Sequence, residues 1–427
     1  MQSSLHWTMS AVHDDSSTES NGQADGLRSS ADEESLVFES RASAAKRGAI
    51  YCRSWSSTRE AVEKALLEVY GRSAEEHSAF IFCSGMAAIG ATMSSLARPN
   101  QKRTCIMVCG NELYSEVPRL VQHLVEEHAP FLRAVSFDIR DAAGLKRFFK
   151  EHGKDISLFH FEACTNPSGQ LFDFALIPEL RAEAPECVFV ADNTWLTGIL
   201  LNPLDLGVDI VVESMTKYVS AGRCIGGAVI GKDSVVAKIL TWIKVFGHYV
   251  AADHCRLFLD GIHTMPQRVC VASASAEQAA CYLQEHTGVT RVLYPSLASH
   301  PTHAHALQYL RGGGPGCLWF HVAATENVAR QALALPAVSS VIELKTSFGG
   351  RAARVDPWPR RGASTDYDVP VHEAADQEQE QLNEGGAKNA TALRGTWLRL
   401  AMGYEQDLDE VLKALDMFLA HLQSTSL

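Results

Sequence analysis

The 427-residue chain has no uninterrupted apolar run of about 18 residues, so no membrane span is expected. It has no surplus of positive charge: 38 basic against 50 acidic residues leave a net of -12. A nucleic-acid binder or a basic membrane-surface protein needs a positive stripe, so neither partner is expected. Its eleven cysteines include no CxxC pair, which argues against a disulfide framework or a zinc knuckle. Many lie inside apolar runs such as FIFCSG and TCIMVC, and they read as buried, reduced thiols. No internal repeat of fixed period is found. The first twenty residues lack both the charged-then-apolar pattern of a secretion signal and the Arg-rich, acid-poor composition of a mitochondrial presequence, so a cytoplasmic location is expected.

What is present is a 46% hydrophobic, 21% charged composition, enough to bury a large core. The acidity is confined to two stretches. Residues 1–45 hold eight acids against two bases, and residues 364–390 hold seven against one. The first reads as a solvated tail and the second as a surface insertion.

Between them the pattern is ordered. In TREAVEKALLEVY the apolar residues recur at three and four and Gly71 follows, which predicts a helix with a C-terminal stop. Short apolar runs follow (AFIFCSG, TCIMVCG, ISLFHFEAC, CVFVADNT, DIVVES and GGAVIG), separated by segments long enough for crossovers. They predict a mostly parallel sheet buried on both faces. After about Asp233 come long helical patterns, then GCLWFHVA, VIELK, TWLRLAMG and a last helix near Asp407 to Gln423. The expected organisation is a cofactor-binding domain over 46–280, with its N-terminal arm, and a smaller α/β domain over 281–427.

Two predicted strand ends carry chemistry. One ends in Asp192-Asn193-Thr194, the other in Glu213-Ser214-Met215-Thr216-Lys217. Ligands of open parallel sheets bind outside such carboxyl ends. An amine, a carboxylate and hydroxyls together suit pyridoxal phosphate, which needs a Schiff-base partner, a group that keeps the pyridine nitrogen protonated, and phosphate donors. Upstream, Ser84-Gly85-Met86 stands between a strand and a small-residue helix, whose free N–H groups make an anion site. Each signal is weak alone: a strand-end lysine is usually solvated and a strand-end Asp often caps a helix.

In combination they are specific. The chain resembles the pyridoxal-phosphate enzymes of cysteine and methionine metabolism, the group of cystathionine γ-synthase, γ-lyase and β-lyase, methionine γ-lyase and the homoserine sulfhydrylases. The resemblance runs from about Ala49 to Phe418. It rests on Tyr51-Cys52-Arg53, Thr58-Arg59 with Glu63, Ser84 to Ala88, Tyr114 with Arg119, Glu162 with Asn166-Pro167, and Asp192-Asn193-Thr194. It continues through Ser214 to Tyr218, Tyr294 to Leu297, Ser347 to Gly350 and Leu398 to Gly403.

The resemblance implies a type I, aspartate-aminotransferase-like fold and these roles. Lys217 would carry the cofactor and move protons; Asp192, next to Thr194, would face the pyridinium nitrogen, and Tyr114 would stack on the ring. Gly85, Met86, Ser84, Ser214 and Thr216 would hold the phosphate, with Tyr51 and Arg53 reaching in from a neighbouring subunit. A homodimer would then be the smallest catalytic unit, and a homotetramer the expected assembly. Arg399 would clamp the substrate carboxylate, with Asn166, Ser347 and Thr346 beside it. Arg119 and Glu162 read as structural ion partners.

Three departures bear on the reaction, and a fourth on structure alone. Trp55-Ser56-Ser57 replaces a Gly-Asn-Pro type loop, and Val219 to Cys224 replaces a Gly-Gly-His-Ser-Asp type loop. Thr346 stands where γ-synthases and γ-lyases tend to carry an acid for a distal ammonium. Leu259-Asp260-Gly261-Ile262 stands in place of Leu-Arg-Gly-Leu, which implies a lost ion pair. The expected activity is γ-elimination or γ-replacement on a homoserine-type or cystathionine-type L-amino acid. The alternatives are β-elimination, as in cystathionine β-lyase, or a cofactor-binding protein without turnover.

Overall fold

A computed structural model describes residues 56–97, 104–358 and 395–425. Both acidic stretches and the arm residues Tyr51 and Arg53 lie outside the described residues. The first helix, Ser57–Val69, ends where expected, with Gly71 at φ +60°. That left-handed conformation is strained for any residue with a Cβ.

Seven strands follow: β1 (His77–Phe82), β2 (Cys105–Gly110), β3 (Leu132–Phe137), β4 (Ile156–Glu162), β5 (Val188–Asp192), β6 (Ile210–Glu213) and β7 (Gly227–Lys232). They form one sheet in the order β1-β7-β6-β5-β4-β2-β3. Only β7 runs against the rest, being antiparallel to both β1 and β6. Six of the seven match the apolar runs of the sequence. The seventh, β3, is an edge strand in which Arg133 and Ser136 are half-exposed, so it never shows the continuous apolar run of a central strand.

Side-chain alternation divides the sheet's two faces. Phe159, Phe161, Phe189 and Val211 pack with Val62, Leu66 and Tyr70 on one side. Leu158, Val190, Val212 and Val229 pack with Ile89 and Met93 of the helix Gly85–Leu96 on the other. Glu162 and Asp192 continue the second series and are paired in register, so both carboxyls point toward the side of that helix.

The second sheet is smaller: β8 (Arg291–Leu293), β9 (Cys317–Val322), β10 (Glu343–Leu344), β11 (Arg354–Trp358) and β12 (Thr396–Ala401), ordered β10-β11-β12-β9-β8. Leu318, Phe320, Val355, Leu398 and Leu400 bury one face against Val411, Leu415 and Phe418 of the helix Leu408–Thr425. The strand period of two leaves Cys317, Trp319, Arg354, Asp356 and Arg399 on the opposite face, with Arg399 directly across from Asp356 and Trp319.

One 34-residue helix, Ala252–Glu285, joins the two cores. Phe258, Met265 and Ala272 belong to the first core, while Ala276, Ala280 and Leu283 belong to the second. A domain end at residue 280 therefore falls inside a continuous helix. Pro266 removes one backbone donor within it. Nearby, Arg268 Nη2 donates to the Gly261 carbonyl at 2.6 Å and its Nε to Thr264 Oγ1 at 3.0 Å.

Asp260 lies 3.9 Å from Arg223, both side chains being exposed. One expectation needs correction: not all cysteines are buried, since Cys83, Cys270 and Cys281 are exposed; the cysteines among the described residues are all free thiols. Among the described residues no helix is long and apolar enough to cross a membrane, and no His, Cys, Asp and Glu group could hold a metal.

Gly261 fixes how closely the long helix approaches the loop after Lys217. A Cβ there would lie 1.9 Å from the Val219 carbonyl oxygen, a backbone atom that cannot turn away. Gly261→Ala is expected to lower the unfolding free energy by about 1–3 kcal/mol through overpacking, measured by urea denaturation.

Candidate active site

The site is built where the carboxyl ends of β4, β5 and β6 meet the polar face of the second sheet. The Asp192 carboxylate ends β5 and is held in place by Thr194. The Thr194 backbone N–H and hydroxyl both donate to Asp192 Oδ1, at 2.9 and 2.5 Å. The same hydroxyl accepts the Ser214 N–H at 2.8 Å, which ties the end of β5 to the segment leading to Lys217. Asp192 Oδ2 accepts no hydrogen bond among the described residues. Burial raises the pKa of Asp192, and the Thr194 bonds and the Lys217 ammonium partly offset that rise.

Lys217 is drawn the other way. Its Nζ donates to Ser347 Oγ at 2.9 Å and lies 5.2 Å from the centre of the Phe348 ring. Burial, then repulsion from Arg399, lowers its pKa to about 8. Such an amine exchanges protons near neutral pH.

The turn that supplies Ser347 is itself strained. Ser347 has φ +89°, in the left-handed region that disfavours side chains. Two residues on, Gly349 has φ +76°, and a Cβ there would lie 2.8 Å from the Lys217 carbonyl carbon. The Ser-Phe-Gly-Gly sequence is thus what lets the second sheet's turn lie directly on the lysine.

At the start of the helix Gly85–Leu96, Ser84 Oγ accepts the Ala87 N–H at 3.0 Å. A Cβ on Gly85 would lie 3.0 Å from the Ser214 Cβ, so the helix start packs tightly on the Ser214 segment. Ser84, Gly85, Met86 and Ser214 therefore share one corner, and a helix N-terminus there favours an anion. The Thr216 hydroxyl is engaged with the backbone of Gly226, at 3.2 and 3.3 Å.

On the far side, Arg399 is 3% exposed. Its Nη1 donates to Asn166 Oδ1 at 2.9 Å, its Nη2 donates to Thr346 Oγ1 at 3.0 Å, and Asp356 Oδ2 lies 3.6 Å away. Glu162 organises the loops in between, accepting the Tyr114 N–H at 2.6 Å and the Asn166 N–H at 2.8 Å. Burial and the neighbouring Asp192 charge push Glu162 well above the usual carboxylate range. Tyr114 is 44% exposed at this edge, while Arg119 turns to Glu116 at 3.3 Å.

Asp356, Arg354, Phe348 and Cys317 were not anticipated from the sequence. The first two sit on β11, whose partner strand β12 lies beyond the acidic stretch, so alternation along β11 alone did not reveal which way they face. Burial holds the Cys317 thiol up at about 12, close enough to Arg399 and Lys217 to feel both cations.

The carboxyl ends of a mostly parallel sheet, offering a desolvated lysine, a buried acceptor and a small-residue anion corner, fit a pyridoxal-phosphate enzyme of fold type I. A family model described as "Cys/Met metabolism PLP-dependent enzyme" matches residues 11–360. The chain is similar to a cystathionine beta-lyase of Bacillus subtilis, 29% identical over 73% of this chain and 79% of that protein. It is similar to an L-methionine gamma-lyase of Pseudomonas deceptionensis, 32% identical over 58% of this chain and 61% of that enzyme. In structure it is similar to cystathionine gamma synthase from Xanthomonas oryzae pv. oryzae in complex with cystathionine, with a TM-score of 0.72, 25% identity and 88% of each chain covered. The chain belongs to the pyridoxal-phosphate-dependent enzymes of cysteine and methionine metabolism.

The lysine's environment has a measurable cost. An amine with a folded pKa near 8 against an ordinary 10.5 destabilises the fold at all pH values below about 8. That penalty disappears between about pH 8 and 10.5, where only the unfolded chain still binds the proton. Cofactor-free Lys217→Met is therefore expected to be more stable than the parent by roughly 1–3 kcal/mol at pH 7, with the gap closing toward pH 10.5. Urea denaturation at the two pH values measures it.

Proposed function

We propose that this enzyme eliminates or replaces the γ substituent of a homoserine-type or cystathionine-type L-amino acid. The observation that carries the proposal is the placement of Lys217, a near-neutral amine on a flexible stem hydrogen-bonded to Ser347 and separated by the site from the Arg399 clamp. γ chemistry needs one base to serve two adjacent carbons, and a four-carbon stem gives that reach.

Pyridoxal phosphate, when bound, supplies an electron-accepting ring that stabilises negative charge at the substrate α carbon. Lys217 would be its covalent attachment point, and Asp192 Oδ2 would accept the hydrogen of its ring nitrogen. Ser84, Gly85, Met86, Ser214 and Thr216 would surround its phosphate, and Tyr114 would cover its ring. The assignments of Tyr51 and Arg53, from a second copy, belong to this proposal.

With substrate present, Arg399 binds the α-carboxylate as a fork, and Asn166 and Ser347 orient it. The Lys217 amine would then take the α proton, hand it on to the bound cofactor and, neutral again, take a proton at the β carbon from the same position. The bond to the γ substituent breaks, and its electron pair leaves with the substituent. A thiol adding at the γ carbon completes replacement; hydrolysis without addition gives a 2-oxo acid and ammonia. Glu162 positions Asn166 and Tyr114 through their backbones and stays outside the proton path.

The similarity to the Bacillus cystathionine beta-lyase, over most of both chains, favours β-elimination as the second reading. That reaction uses the same base once. A homo-oligomer also belongs to this reading, supported by Ile225, Val245 and Phe246, which are large apolar side chains exposed on a single chain.

Products of the holoprotein with cystathionine and O-acylated homoserines decide the reaction. 2-Oxobutyrate or a γ-exchanged amino acid is expected, whereas pyruvate from cystathionine supports β-elimination. Lys217→Ala is expected to remove the visible absorption band of the bound cofactor together with turnover, and persistence of the band overturns the assignment of the lysine.

A further inference from the structure

The polar face of the second sheet carries two arginines. Arg399 on β12 is paired in register with Asp356 on β11, and Arg354 lies two residues before Asp356 on the same face. Arg354 Nε donates to Glu343 Oε2 at 3.1 Å, which fixes the guanidinium, while its Nη1 and Nη2 make no hydrogen bond among the described residues. The head group lies over Gly350, where a Cβ would be 3.2 Å from Nη2. Gly350 belongs to the turn that supplies the Lys217 partner Ser347, so Arg354 stands at the lysine's side of the site.

The acids nearby are already committed. Glu343 faces both Arg354 and Lys345, the latter at 3.4 Å, and Asp356 faces Arg399. The Thr346 hydroxyl receives Arg399 Nη2, so no carboxylate stands at that position for a distal ammonium. A substrate held at Arg399 by its α-carboxylate therefore meets a second guanidinium whose outer edge remains available.

We propose that Arg354 is a specificity-determining residue that receives an anionic group at the far end of the substrate, so that the site selects L-amino acids carrying a second carboxylate. The proposal rests on the reading of Arg399 as the α-carboxylate clamp, but not on γ over β chemistry.

The test compares L-2-aminoadipate with L-norleucine, two six-carbon amino acids without a leaving group, one ending in a carboxylate and the other in a methyl. Each is titrated into the holoprotein and followed by the change in visible absorption. The parent is expected to bind L-2-aminoadipate about tenfold or more tightly than L-norleucine, as a charge-assisted hydrogen bond gives. Arg354→Gln is expected to remove that preference while changing the L-norleucine affinity less than about twofold, and Arg354→Lys to retain part of it. An unchanged preference in Arg354→Gln overturns the proposal, as does an equal loss for both ligands, which marks a purely structural pair with Glu343. An intact preference in a protein that forms no γ product overturns the proposed reaction alone.

Discussion

The hydrogen bond from Lys217 to Ser347 is the contact on which the site depends, because it joins groups placed by two separate cores. Lys217 follows a strand of the first sheet, and Ser347 comes from a turn of the second. That contact requires Gly349 to lie against the backbone of Lys217 and Gly261 to let the long helix reach the loop after it. The Arg399–Asn166 bond repeats the arrangement some distance away, again with one partner from each core. A cleft closed at two points by charge-assisted or polar bonds excludes water from the space between them, and that desolvation is what lowers the lysine pKa.

The charges in the cleft form a balanced set. Lys217, Arg354 and Arg399 face Asp192, Asp356 and Glu343, with Glu162 beside Asp192. The two neighbouring carboxyls at the ends of β4 and β5 are costly to ionise together, and the lysine favours charge on Asp192. Glu213 lies on the opposite side of the sheet. There it accepts the Tyr70 hydroxyl at 2.8 Å, and burial raises its pKa to about 8. The net acidity of the chain, concentrated in residues 1–45 and 364–390, therefore gives no measure of the potential at the site.

The central strands, the first helix and the cluster around Asp192 and Lys217 were legible in the sequence because each is local. A buried parallel strand is a run of apolar residues, and its chemistry follows at the next two or three positions. The edge strand β3 escaped because burial on one flank leaves Arg133 and Ser136 in the pattern. β8 escaped because it has three residues, and β11 because charged residues alternate with apolar ones along it and Pro357 stands inside it. Arg354 and Asp356 escaped for a different reason: which face a strand residue occupies is set by a pairing partner some 43 residues away.

In the proposed assignment, the division between the two sheets also separates chemistry from selectivity. The groups that would hold the cofactor and move protons stand on or just beyond β4, β5 and β6 or at the helix start that packs on them. Their positions are set by a parallel sheet buried on both faces, where one changed residue disturbs many neighbours. The groups proposed to meet the rest of a substrate stand on β11, β12 and the turn before them. Those side chains project from one face of a small antiparallel sheet, and exchanging one alters the cleft without repacking Val355, Leu398 or Leu400 behind it. A single scaffold of this kind can therefore keep its cofactor contacts while the contacts to the rest of a substrate change. In this chain Thr346 and Asp356 surround Arg399 at 3.0 and 3.6 Å, and Arg354 stands on the same face two residues before Asp356, so a charged and polar surface lines that side of the cleft.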